Sequence, residues 1–76
     1  MSSVTIRLMQ ARERLRQAQL RVEEQVVLIE QLADTGRSTA AAERLLATYM
    51  AIMDQFSVRC DRLQRELDRA VFIQRN

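Results

Sequence analysis

Asp34-Thr35-Gly36-Arg37-Ser38 is the stretch on which the fold turns. It holds the chain's one glycine, and there is no proline anywhere in the 76 residues. A glycine at the end of an apolar-periodic run can adopt the left-handed conformation that caps a helix C-terminus. Ser38 or Thr39, just beyond it, can accept from free backbone N–H groups and open a second helix. The flanking sequence is rich in Ala, Leu, Arg, Gln, Glu and Met, all good helix formers. One domain over residues 1–76 is therefore predicted, with helices at about 4–34 and 38–74 and a turn at 34–38. Each helix would run about 45–55 Å at ~1.5 Å per residue.

Working outward, the apolar residues repeat every seventh position on both sides of the turn. Leu8, Leu15, Val22 and Ile29 form one row, with Val4, Ala11, Ala18, Gln25 and Leu32 beside it. In the second half the rows are Leu46, Met53, Cys60 and Leu67, and Ala42, Tyr49, Phe56, Leu63 and Ala70. Such a pattern makes a coiled-coil seam, and a turn this short makes the two helices antiparallel neighbours. Folding the chain at the turn sets Leu8 by Leu63, Leu15 by Phe56, Val22 by Tyr49, Ala11 by Cys60, Ala18 by Met53 and Val4 by Leu67. Small residues then face large ones, which fills the seam without voids. Gln25 falls at a core position near Leu46, where it could meet the Tyr49 hydroxyl and help fix the register.

A single seam struggles to offset the entropy of ordering so many residues. The sequence offers more apolar surface than the seam uses. Val26, Val27 and Leu28 precede Ile29 without a break, and Leu45, Met50 and Ile52 flank the second seam at the same end of the hairpin. Leu20, Ile6, Val71, Phe72 and Ile73 add a weaker set toward the open end. A lone hairpin has no third layer to cover them. Self-association into a homodimeric four-helix bundle is expected, another protein on the same surface being the alternative.

All twelve basic residues are arginine, and the net charge is +2. Residues 7–21 carry five Arg and one Glu, residues 23–54 six acids and two Arg, and residues 59–75 five Arg and three acids. The open end is thus basic and the turn end acidic, which by itself favours two hairpins packed head to tail. Arg7, Arg14, Arg59 and Arg62 are the candidate contacts to an anion or partner at the basic end. Arg14 and Arg59 should approach each other there, unless both splay into water. Helical spacing also suggests ion pairs Asp61–Arg65, Arg62–Glu66 and Arg65–Asp68.

Chemistry is hard to place on this chain. There is no His to act as a base or complete a zinc site, and Cys60 is the only thiol. One glycine cannot build a phosphate loop. Glu23, Glu24, Glu30 and Asp34 are the densest acids, but Glu23, Glu24 and Glu30 lie off the seam, as solvated faces do. No catalytic residue, cofactor or metal is expected. The start of the chain lacks a signal-peptide pattern, and the most apolar stretch, residues 45–53, is too short for a membrane span. A cytoplasmic protein is expected, with no membrane partner.

The run Ala11-Arg12-Glu13-Arg14, Ile29-Glu30-Gln31-Leu32, Gly36-Arg37-Ser38-Thr39-Ala40, Glu43-Arg44-Leu45-Leu46 and Cys60-Asp61-Arg62-Leu63-Gln64-Arg65-Glu66-Leu67 resembles a group of short alphaproteobacterial helical-hairpin proteins, a family of unknown function. The resemblance covers most of residues 11–67. It implies a helical hairpin in a bacterial cytoplasm and carries no functional residues with it. The expectation for function is a small structural or protein-interaction module, an adaptor or regulator acting as a homodimer. The alternative is a nucleic-acid-binding accessory protein that uses the arginine-rich open end.

Overall fold

The computed structural model describes residues 3–75. Helix α1 is Ser3–Asp34 and helix α2 is Ala40–Arg75, 32 and 36 residues long and packed against each other along their length. The hairpin measures 62 × 16 × 14 Å, two helices wide and one thick. Among the described residues there is no strand.

The turn ends α1 as the glycine requires. Gly36 has φ +72°, and it is the one residue among those described with a positive φ. Its N–H donates to the Ala33 carbonyl at 3.1 Å and the Arg37 N–H to the Leu32 carbonyl at 2.9 Å. These two bonds are the Schellman pattern, which satisfies carbonyls that the helix end would otherwise leave open. The Thr35 hydroxyl donates to the Gln31 and Leu32 carbonyls, both at 3.1 Å. The second helix starts two residues later than the sequence suggests, at Ala40. Ser38 and Thr39 lie outside it as caps: Ser38 Oγ accepts from the Ala40 N–H at 3.4 Å, and the Thr39 carbonyl accepts from the Glu43 N–H at 2.8 Å. Glu43 also places a carboxylate in the first turn, where the helix dipole favours it.

The seam follows the heptads. Every predicted α1 position is buried or half-buried, and so is every predicted α2 position except Ala70, which is exposed. Ala70 lies beyond Leu67, whose counterpart Val4 is the first described seam position of α1. Leu8, Ala11, Cys60 and Leu63 form the tightest cluster, flanked by Leu15 and Leu67, in the pairing expected from the fold-back. The core is thin, and among the described residues no large side chain reaches complete burial.

Candidate interaction surfaces

Two contacts across the seam define the two broad sides of the hairpin. On one side Arg7 pairs with Glu66 at 3.5 Å. On the other, Arg12 Nη2 donates to Gln64 Oε1 at 2.5 Å, and Gln64 Nε2 donates to Asp68 Oδ1 at 2.9 Å. Positions seven apart in a helix share a side, so these contacts place the rest of each row.

The Arg7 side collects six arginines, Arg7, Arg14, Arg21, Arg59, Arg62 and Arg69, against two carboxylates, Glu24 and Glu66. We refer to it as the arginine face. A shallow groove of about 150 Å³ runs along it between the helices, lined by Arg14, Gln17, Ala18, Arg21, Tyr49, Ile52 and Phe56. Phe56 also borders a neighbouring hollow with Gln55, Val58, Arg59 and Arg62. The opposite side, here the carboxylate face, carries Glu23, Glu30, Glu43, Asp54, Asp61 and Asp68 against Arg12 and Arg16. Counting only the side chains the structure describes, the formal balance is +4 on one face and −4 on the other. Charge along the sequence separates the two ends of the hairpin; the fold separates its two faces as well.

The six apolar residues expected to form one surface near the turn are all exposed. The structure brings them to one end but divides them among three directions. Leu28, Leu45 and Ile52 lie on the arginine face, Val26 and Met50 on the carboxylate face, and Val27 on the outer back of α1. The heptad position of each decides this, because neighbours in sequence are turned about 100° apart.

Of the four candidate arginines, Arg7 is engaged by Glu66, while Arg14, Arg59 and Arg62 are exposed. Arg14 and Arg59 are both exposed on the same face. The ion pairs expected within α2 do not form. Glu66 turns to Arg7 on α1, Asp68 accepts from Gln64, and among the described residues the other ion pair is Arg16–Glu13 at 2.6 Å. Exposed pairs at helical spacing are worth only a few tenths of a kcal/mol, so a cross-helix partner easily displaces them. Arg16 donates to both Glu13 oxygens, and Gln17 adds a longer bond. The hydrogen bond from Arg16 holds the Glu13 carboxyl below its ordinary pKa, and the same bond raises Arg16.

Gln25 is buried as expected but has a different partner. Its Nε2 donates to the Ala42 carbonyl at 2.9 Å, not to the Tyr49 hydroxyl. Cys60 is a free, buried thiol. Among the described residues no three Asp, Glu or Cys side chains gather as a metal site would need, and no helix is long and apolar enough to cross a membrane. Comparison with protein-family models, with curated proteins and with solved structures finds no match to this chain.

Proposed function

We propose that this hairpin is a non-enzymatic protein-interaction module that works by self-association, two hairpins packing into a four-helix bundle. The observation that carries this reading is its surface. The chain exposes 5986 Å², whereas a compact chain of its mass would expose about 4,800 Å². The difference exceeds the ~800 Å² that each partner contributes to an ordinary stable interface. Among the described residues thirteen large apolar side chains are exposed, so the surplus includes the kind of surface that association buries.

Light scattering behind size exclusion tests it. A mass of at least twice 8.9 kDa that survives high salt is expected, because apolar burial is not screened. Ile52→Glu should reduce that mass and Glu24→Ala should leave it unchanged. A monomer under all conditions overturns the reading.

A second reading rests on the groove. Arg14 and Arg21 share it with Tyr49 and Phe56, so α2 supplies aromatic rings beside the basic segment of α1. Arginine next to aromatic faces is how single-stranded nucleic acids are held. Retention of an oligonucleotide that falls steeply with salt would favour this reading over the first.

A further inference from the structure

We propose that copies of this hairpin stack face to back and point the same way, the arginine face of one seated on the carboxylate face of the next. The inference rests on the self-association reading and specifies which surfaces meet. It starts from Asp61-Arg62 and Asp68-Arg69, the same dipeptide repeated seven residues apart on α2. Adjacent residues in a helix differ by only ~1.5 Å in height but by about 100° in direction. Asp68 stands on the Gln64 side of the seam, and Asp61 lines a hollow with Gln64 and Arg65. Arg62 lies beside Phe56 on the opposite face. Each dipeptide therefore presents a carboxylate to one side and a guanidinium to the other at nearly the same height. When a second copy is placed above the first in the same orientation, Arg62 and Arg69 of one come level with Asp61 and Asp68 of the other.

The apolar surplus fits the same placement. Leu28, Leu45 and Ile52 of the lower copy come level with Val26 and Met50 of the upper one, since both sets lie at the turn end. The head-to-tail orientation suggested by charge along the sequence also joins opposite charges. It would, however, set Leu28, Leu45 and Ile52 against the level of Arg12 and Arg16, whereas the parallel arrangement matches the apolar residues and both α2 dipeptides, at the cost of bringing Arg14 of one copy level with Arg12 and Arg16 of the next. A contact between two different faces is heterologous, and each added copy still offers one free face of each kind. Growth beyond two chains follows unless a rotation between copies closes a ring.

Two charge-reversal variants test this. Arg62→Glu with Arg69→Glu puts carboxylates at those two levels of the arginine face and takes its formal balance from +4 to 0, and Asp61→Arg with Asp68→Arg puts guanidinium groups on the carboxylate face and takes its balance from −4 to 0. All four side chains are exposed, and circular dichroism on each variant checks that the hairpin persists. Mass is then measured by light scattering at low salt for the parent, for each variant and for their equimolar mixture. Association of the parent, at least a tenfold weaker association of each variant alone, and recovery in the mixture as a one-to-one assembly are expected. A like-on-like interface would weaken one variant only and leave the other with the parent's mass, which also overturns the stacking. A parent that associates while both variants keep its mass, or a mixture that stays dissociated, overturns the stacking and leaves self-association standing. A monomeric parent overturns both.

Discussion

Gln25 of α1 donates its side-chain amide to the main-chain carbonyl of Ala42 in the first turns of α2. It is the one buried polar side chain among the described residues, and it locks the two helices where they leave the turn. The Ala42 carbonyl keeps its place in the helix ladder, so the bond adds to that ladder without replacing it. Gln25→Leu removes both the need for a partner and the bond itself; stability within about 1 kcal/mol of the parent is expected in urea. Gln25→Ala leaves a gap as well and should cost about 1–2 kcal/mol. A leucine variant destabilised as much as the alanine variant would mean that the hydrogen bond dominates.

Gly36 has open space where a Cβ would stand, with nothing within 4 Å. Any cost of Gly36→Ala is therefore a backbone cost from φ +72°, about 1–2 kcal/mol. Gly36→Asn should cost less, since asparagine tolerates the left-handed region. Equal losses for the two variants in denaturant melts would contradict the conformational explanation.

Cys60 packs with Leu8, Ala11 and Leu63, so alkylation should wait for the helices to part. Ala11→Leu overfills that contact and should cost about 1–3 kcal/mol. Labelling of Cys60 by a neutral thiol reagent should then run roughly 5- to 160-fold faster than in the parent, because the open state is more populated. Unchanged labelling would mean that the thiol is reached without opening.

Glu13 has its folded pKa lowered, first by the hydrogen bond from Arg16, then by that residue's charge and by Gln17. A lowered folded pKa makes a stabilising contribution above the unfolded pKa, and the contribution fades as pH falls through the folded value. The side chain is exposed, so the effect on global stability is small. An NMR titration should show the Glu13 carboxyl ionising at lower pH in the parent than in Arg16→Ala. Coincident midpoints would remove the pair from consideration.

Much of this was readable in advance because the information is one-dimensional. Leu8, Leu15 and Leu63 occupy the seam because a seven-residue repeat fixes a side of a helix, and Gly36 ends α1 because only its backbone adopts that conformation freely. The pairing of Ala11 with Cys60 follows from folding a repeat back on itself. The misses share a different cause. Gln25 choosing Ala42 and Glu66 choosing Arg7 are selections among partners of nearly equal energy, settled by side-chain reach across the seam. The missed feature with the largest consequence was the charge of the faces. Its signal is present in the repeat of Asp61-Arg62 at Asp68-Arg69, but charge counted in contiguous segments averages it away.

The amino-acid sequence by itself determined two helices, the turn between them and the residues that meet in the seam, since helix propensity, a heptad repeat and one glycine are local or periodic properties. Only the tertiary structure decided which side of the seam each remaining residue occupies, and so how the apolar surplus is divided and how the charges part into an arginine face and a carboxylate face. The reason is geometric. A side becomes a face only when a second helix lies beside the first, and contacts such as Arg7–Glu66 and Arg12–Gln64 set which rows of the two helices combine.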